Sequence, residues 1–527
     1  MQKREHWGTR TGFILAAAGS AIGLGNIWRF PYMTYDYGGG LFLLVYLFAL
    51  LTAGIPLLIL EFGLGHKYRG APPSVFARIS NDHKQPNRWE WLGWYQTALA
   101  AIISFYYVVV IAWTLVYFSL SFYSGWGSDP ANFFYSKFLD LPAGSQFNFL
   151  QINWTIMLVT GLVWFFCWII LYGGIQKGIE LAGKIFMPML IAIIVIITIR
   201  VLFLEGAAKG LDFLFKPNLT PILTETVLAS GVKLSRIDIS KLIKVLIAAY
   251  GQVFFSLSVG FAVMISYSSY LPKRSDTVNN AFITGLLDSG FSILAGTMIF
   301  AILGSMSVAA NVNVEVSQVV NQGIGLAFIT IPKALEYLPA THILGPLFFI
   351  SLTIAGITSA ISIMETIITG LKDKFEVKRE KSATFVCCIG FLFSLIFTTR
   401  SGIIALDIVD HFINNFGILI SGLLEVILLS WIFKSSFIKD HVNKYSDFSI
   451  GSWWIFSIKI LMPILLGSMV VSNMAREIQH RYENYPLFLL IIFGWVVMAT
   501  IFILSFAVAS TKGCKDHYTG HLNNKEE

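Results

Sequence analysis

Charge is scarce in this chain: Asp, Glu, Lys and Arg together make up 13% of its 527 residues, about half the share of an ordinary soluble domain. With 56% hydrophobic residues and a mean hydropathy of +0.70, that scarcity excludes a soluble globular protein. Cysteine is rare too. Cys167 falls within an apolar run, Cys387 and Cys388 are adjacent, and Cys514 lies near the C-terminus, so no loop-to-loop disulfide framework is visible. Neither a HExxH nor a GxSxG motif occurs, which removes two common routes to an intramembrane hydrolase. His66 and His411 are too dispersed for a metal site. The formal charge of +7 is spread over short segments between apolar runs and forms no basic stripe, which argues against a nucleic-acid partner and for membrane orientation. The opening MQKREHWGTRTG lacks a small-residue cleavage site and reads as a cytoplasmic lead-in, not a signal peptide.

What the chain has in abundance is apolar runs of about 20 residues or more, each long enough to cross about 30 Å of hydrocarbon. Twelve are expected, near 11–33, 41–66, 92–122, 153–172, 184–205, 242–269, 278–304, 341–371, 382–399, 403–433, 453–474 and 486–510. An even number puts both termini on one side. Lys and Arg on that side outnumber those opposite by about two to one, which makes it the cytoplasmic side. Three outer loops follow, near 123–152, 206–241 and 305–340. The third is moderately apolar and is expected to pack back into the protein as a short helical hairpin, hinged at Gly323 and Gly325.

Two of the runs are interrupted. The first contains GSAIGLGNIWRFP, Gly19 to Pro31, and the sixth contains QVFFSLSVGF, Gln252 to Phe261. Unpaired backbone groups at membrane depth cost several kcal/mol each and survive only where they face protein, ions or a wet cavity. Interruptions at corresponding places of two five-span halves point to an inverted-repeat transporter with its site at the midplane. The expected fold is therefore an all-α integral membrane domain over 1–527. Its first repeat covers 11–205 and its second 242–433, followed by two extra helices at 453–510 and a cytoplasmic tail at 511–527.

The first-span motif, the lead-in KREHWGTR, FFSLSVGFAVMISYSSY in the sixth span and AGITSAISIMET in the eighth resemble the neurotransmitter:sodium symporter family, nearest its bacterial leucine-transporter-type amino-acid transporters. The resemblance runs from residue 3 to about 510. It implies alternating access and two sodium sites. By this match the first sodium meets the carbonyl of Ala21, the side chain of Asn26, and Ser256, with Asp288 facing it. The second meets the carbonyls of Gly19, Ile22 and Ala355 and the hydroxyls of Thr358 and Ser359. Taken alone, those two hydroxyls read as helix back-bonding to a carbonyl one turn earlier. The leucine transporter resembles this chain with asparagine in place of Asp288 and glutamate in place of Ser292. Chloride-dependent animal members resemble Tyr46, Gln252, Ser256 and Ser292 as a halide site. A carboxylate at Asp288 supplies the charge the halide would bring, so chloride is expected to be unnecessary.

Relatives that carry amines without a carboxylate resemble this chain with aspartate in place of Gly23. A glycine there implies a substrate that brings its own carboxylate, to sodium, the half-helix N-terminus near Gly25 and the hydroxyl of Tyr107. The side-chain pocket implied by the match comprises Ser20, Leu24, Ile103, Phe255, Phe261, Ser359 and Ile363, with Ala21, Phe255 and Ser258 facing the amine. No ion-pairing residue lines it, so a neutral, hydrophobic α-amino acid is expected. Arg29 with Asp410 would form the outer gate. Arg4 with Asp373, beside Trp7 and Tyr270, would form the inner one. Glu61 and Glu425 are expected to tie down backbone amides at the breaks. The reading is a sodium-coupled symporter in a plasma membrane, the bacterial inner membrane by the shortness of its tails, as monomer or homodimer. A transporter-like sensor that binds without transport is the alternative.

Overall fold

The computed structural model describes residues 5–85, 88–142, 147–227, 233–309, 323–514 and 517–518. Among these, eleven helices are long and apolar enough to cross a membrane, and one bent pair makes a twelfth. Span 1 is that pair, Arg10–Ala21 and Leu24–Asp36, bent by 63°. Spans 2 to 5 are Gly40–Tyr68, Glu90–Leu120, Trp154–Tyr172 and Ile175–Leu202. Span 6 is Ile239–Ser256, continued after a break by Val263–Ser268. Spans 7 to 10 are Thr277–Val308, Thr341–Phe375, Arg379–Thr398 and Gly402–Ile432; spans 11 and 12 are Ser452–Asn484 and Leu487–Ser510.

Helix starts carry their own punctuation. The side chains of Thr9, Asn153 and Asp238 accept from Gly12, Ile156 and Ser240 backbone N–H groups at the heads of spans 1, 4 and 6, satisfying donors that no helical carbonyl reaches. The two breaks differ in kind. In span 1, Ile22 and Gly23 are simply extended (φ −74° and −124°). In span 6, Ser258, Gly260 and Ala262 take φ of +54°, +84° and +79°. Left-handed backbone is unfavourable for Ser and Ala, so surrounding contacts must hold this segment in place.

The core lies along spans 3, 7 and 8. The most apolar window of span 8 is 83% buried and that of span 7 is 72%, against 28% for spans 11 and 12. Spans 11 and 12 are therefore peripheral. The second outer loop holds a helix, Ala207–Phe215, and an antiparallel hairpin pairing Leu223–Val227 with Lys233–Ile237. No strand was expected there. In the third loop, residues 310–322 lie outside the described residues, and with them half of the expected hairpin. The rest does pack back: Phe328 is buried with its ring 5.0 Å from Tyr117, 5.4 Å from Phe134 and 5.9 Å from Trp113. Gly323 is left-handed at φ +52°, whereas Gly325 has ordinary helical angles.

Candidate functional site

The two breaks face each other, and three further spans close around them. Gly23 N–H donates to Asn26 Oδ1 at 2.9 Å, so the first residue after the break is tied to its own short helix. The other end of that amide points away. Asn26 Nδ2 stands 2.9 Å from Ser256 Oγ, 2.7 Å from Asp288 Oδ1 and 2.8 Å from Ser292 Oγ. Ser256 donates to the Asp288 carboxylate, 2.8 and 2.7 Å from its two oxygens. All four side chains are buried. Spans 1, 6 and 7 thus meet at one oxygen-rich point beside a carboxylate that no lysine or arginine pairs among the described residues. Nearby, the hydroxyls of Tyr46 and Ser289 lie 3.0 Å apart. Gln252, also buried, has neither side-chain polar atom bonded.

A second convergence lies between span 1 and span 8. Ser359 Oγ is 3.4, 3.2 and 3.4 Å from the carbonyl oxygens of Gly19, Ser20 and Ile22, which the break has freed from helical bonding. Thr358 Oγ1 bonds the carbonyls of Ile354 and Ala355 at 3.2 and 3.0 Å, the ordinary back-bond. A Cβ built on Gly19 would sit 3.4 Å from Thr358 Cβ and 3.0 Å from Met187 Sδ. A narrow cavity lined by Leu15, Gly19, Ile179, Tyr267 and Thr358 reaches this point. Gly19, Ile22, Ala355, Thr358 and Ser359 are thus together. Ala21 is buried at the end of the first half-helix.

Between these points the backbone of span 1 comes close to its neighbours at two glycines. A Cβ at Gly23 would come within 2.9 Å of Ser359 Oγ and 3.1 Å of Tyr107 Oη; at Gly25 it would meet the Phe255 ring at 2.2 Å. Tyr107 Oη accepts from Leu24 N–H at 3.3 Å. Ser20, Leu24, Ile103, Phe261 and Ile363 are buried around it, and Ser258 donates to the Ser20 carbonyl at 3.0 Å. Sequence reasoning missed Ser362, whose hydroxyl donates to Ser20 Oγ at 2.7 Å. A serine one turn beyond Thr358 and Ser359 carried no signal of its own.

On the outer side, the Arg29 guanidinium lies 4.2 Å from the centre of the Phe255 ring, a cation–π contact. Asp410 accepts from Tyr106 and Asn414, each at 2.8 Å. Among the described residues, no ion pair within 4 Å joins Arg29 to Asp410. On the inner side Trp7 is buried. Its N–H donates to the Tyr270 carbonyl at 3.1 Å and its indole to the Tyr267 carbonyl at 2.8 Å. Tyr270 Oη donates to Glu365 Oε1 at 2.9 Å. Arg379 grips Glu365 with both ends, 2.8 and 2.5 Å, and reaches Glu5 at 3.1 Å. This Glu5–Arg379–Glu365 network was not anticipated, although a lone acid in the apolar stretch SISIMETII was its signal. Arg4 lies outside the described residues; Asp373 accepts from Ala71 N–H at 2.8 Å.

Glu61 does what was expected of it: Gly260 N–H, in the strained break of span 6, donates to its carboxylate at 2.7 Å. Glu425 does not. It accepts from the Gln96 side chain at 2.6 Å, because the glutamine of span 3 comes closer than any freed amide.

The whole chain has known counterparts. The family model described as the sodium:neurotransmitter symporter family matches residues 4–129 and 123–515. An uncharacterized sodium-dependent transporter of Methanocaldococcus jannaschii is 38% identical over 97% of this chain and 99% of its own length. The mouse sodium- and chloride-dependent neutral and basic amino acid transporter B(0+) is 30% identical over 92% of this chain and 82% of its own. Among solved structures, that of MhsT in complex with L-phenylalanine superposes with a TM-score of 0.72 at 30% identity, covering 89% of this chain and all of that one.

Proposed function

Since the chain belongs to the sodium:neurotransmitter symporter family and is a sodium-dependent multi-pass membrane transporter, we propose that its substrate is a neutral, hydrophobic α-amino acid. Inward sodium movement drives its uptake across a plasma membrane by alternating access. The observation that carries this reading is the space at Gly23. Gly23 brings no side chain to the space between Ser359 Oγ and Tyr107 Oη, which lie 2.9 and 3.1 Å from where its Cβ would be, so no protein carboxylate stands there to hold an amine. The substrate's own carboxylate takes that place, against Tyr107 Oη and the N-terminus of the half-helix starting at Leu24. The lining residues offer hydroxyls and apolar surface and no ionisable group, which fits a neutral side chain. MhsT, the structural neighbour of 30% identity, has been solved with L-phenylalanine.

Two sodium sites fit the two convergences. Asn26, Ser256, Asp288 and the Ala21 carbonyl form the first, where the Asn26 carbonyl oxygen keeps a second lone pair beyond its bond to Gly23. Gly19, Ile22, Ala355, Thr358 and Ser359 form the second. A hard cation prefers such oxygens. Asp288 offsets the sodium charge from within the protein, so chloride is not needed. The repeats 11–205 and 242–433 rock about these sites. Arg29, Phe255, Tyr107 and Asp410 close the outer side, and Trp7, Tyr270 and Asp373 the inner.

Purified protein in proteoliposomes, given a panel of labelled amino acids with and without an inward sodium gradient, tests the reading. Uptake of hydrophobic members that needs sodium and persists in gluconate is the expected result. Sodium-dependent binding without uptake would instead make the chain a sensor.

A further inference from the structure

One face of the outer half of span 10 is tied to the outer end of span 11 and to Tyr485 just beyond it. Asp407, His411 and Asn415 follow one another at four-residue spacing and so share that face. Asp407 accepts from the hydroxyls of Tyr482 and Tyr485, each at 3.0 Å. His411 Nε2 is 3.0 Å from Glu477 Oε2, and the imidazole lies against the Tyr482 ring, 3.6 Å between centres and 18° between planes. Asn473 Nδ2 donates to the Asn415 carbonyl at 3.0 Å. The partners of the imidazole fix where its hydrogen sits. An ionised carboxylate only accepts, so Nε2 carries the hydrogen toward Glu477. Asn415 Nδ2 donates to the His411 carbonyl at 2.9 Å, which identifies it as the amide nitrogen, so Nδ1 accepts from it at 3.1 Å. Both nitrogens of a neutral ring are thus used.

Asp410, the residue before His411, meets Tyr106 of span 3 and lies within the field of Arg29. Closing the outer side brings the Arg29 guanidinium and the Asp410 carboxylate together. The charged groups around the imidazole are Glu477 and Arg476 of span 11, Asp407 and Asp410 of its own helix and, beyond Tyr482, Glu483. His411 is partly exposed, and an imidazole ordinarily takes its proton near pH 6.5, within the range of a mildly acid exterior. A proton on Nδ1 sets two donors against each other at Asn415 and puts a positive charge one residue from Asp410. That charge repels Arg29 and competes for the Asp410 carboxylate. It also turns the Glu477 contact into an ion pair that holds span 10 on span 11. We infer that His411 is a positioning residue of the outer gate, acting through Asp410: neutral, it leaves Asp410 free to take Arg29, and protonated, it keeps the outer side open. Uptake from an acid exterior is thereby slowed. The inference rests on the outer-gate role of Arg29 and Asp410 proposed above.

Intact cells expressing the protein test this, with the outside buffered and the cytoplasm held near neutral. Ile103→Cys puts a thiol at a buried position one turn before Tyr107 on span 3, beneath the outer gate. Cys167 and Cys387 are buried, and exposed Cys388 is replaced by Cys388→Ser. A membrane-impermeant methanethiosulfonate added outside reaches the new thiol only while the outer side is open. Its labelling rate is divided by that of the same protein carrying His411→Gln, so that the thiol's own titration cancels. Between about pH 7.5 and about pH 5.5 this ratio should rise about fivefold, the scale of one hydrogen bond gained. Initial amino-acid uptake without Ile103→Cys, divided in the same way, should fall by about the same factor. Glu477→Gln removes the facing carboxylate and should move the midpoint of the response down by about one pH unit, whereas Glu477→Asp keeps the charge and should keep the midpoint. A purely structural role for His411 would leave the midpoint unmoved in both. Thermal stabilisation by sodium verifies the fold of each variant. A labelling ratio that stays flat over this range, or a midpoint that ignores the charge at Glu477, overturns the inference. If uptake is sodium-dependent while the ratio is flat, the role of His411 falls and the transport reading stands. If the ratio responds to pH while no amino acid is taken up, the reverse holds.

Discussion

Replacing Asp288 with asparagine isolates the charge from everything else at the first convergence. The two side chains are nearly isosteric, and the amide oxygen can still accept from Ser256, now 2.7–2.8 Å away. What is lost is one negative charge in a site with no exposure to water. A sodium ion and a carboxylate about 4 Å apart interact by ~4 kcal/mol at an effective dielectric of about 20. The substrate carboxylate shares the task, and the empty variant escapes burying an uncompensated anion, so roughly half of this should appear in binding. Apparent sodium affinity then falls about thirtyfold, equivalent to ~2 kcal/mol. Chloride should restore it, since the Ser256 hydroxyl and the Asn26 amide that face the carboxylate are donors an anion can take up. The assay is initial-rate uptake against sodium concentration in proteoliposomes, in chloride and in gluconate. Asp288→Asn with unaltered sodium dependence in gluconate would refute the charge argument, as would wild-type uptake that collapses without chloride.

Other perturbations have equally definite outcomes. Gly25→Ala drives a methyl group to 2.2 Å from the Phe255 ring and should abolish amino-acid uptake while sodium still raises thermal stability. Gly23→Asp should do the same to α-amino-acid transport, measured on the same panel. Arg379→Gln leaves buried Glu365 without its bidentate partner, which costs about 3–5 kcal/mol when such a pair is broken. The double variant Arg379→Gln/Glu365→Gln should recover most of the lost melting temperature in a detergent thermal assay. His441, on the helix Ser436–Asn443 between spans 10 and 11, is pushed down to about 3 by burial and by neighbouring His66, Lys67, Lys444 and Arg69. The unfolded chain takes up that proton near pH 6.5 and the folded one does not, so the stability His441 contributes is whole above about pH 6.5 and drains away as pH falls toward 3. His441→Gln should flatten the melting profile across that window.

Twelve spans, two breaks and the residues around them were legible in the linear chain because membrane insertion writes itself locally. A run of about 20 apolar residues has few alternatives to a spanning helix, and a glycine–serine–asparagine interruption within one has few alternatives to a site. Gly19 to Pro31 and Gln252 to Phe261 could be singled out on that ground, and the family resemblance assigned them tasks. Arg379 on Glu365, Ser362 on Ser20 and Gln96 on Glu425 were illegible. Each is a bond between segments up to hundreds of residues apart, and a side chain's partner depends on which faces pack together, not on its neighbours in sequence. The hairpin at Leu223–Val227 was hidden for a similar reason: five residues of modest strand preference take their conformation from the pairing strand. The sequence by itself determined the membrane class, the number of spans and where the backbone is interrupted, since those follow from solvation of single segments. Only the tertiary structure decided which groups meet, because burying a carboxylate is tolerable only where the fold delivers hydrogen-bond donors or a cation to it, as Arg379 does for Glu365 and the Gly260 N–H for Glu61.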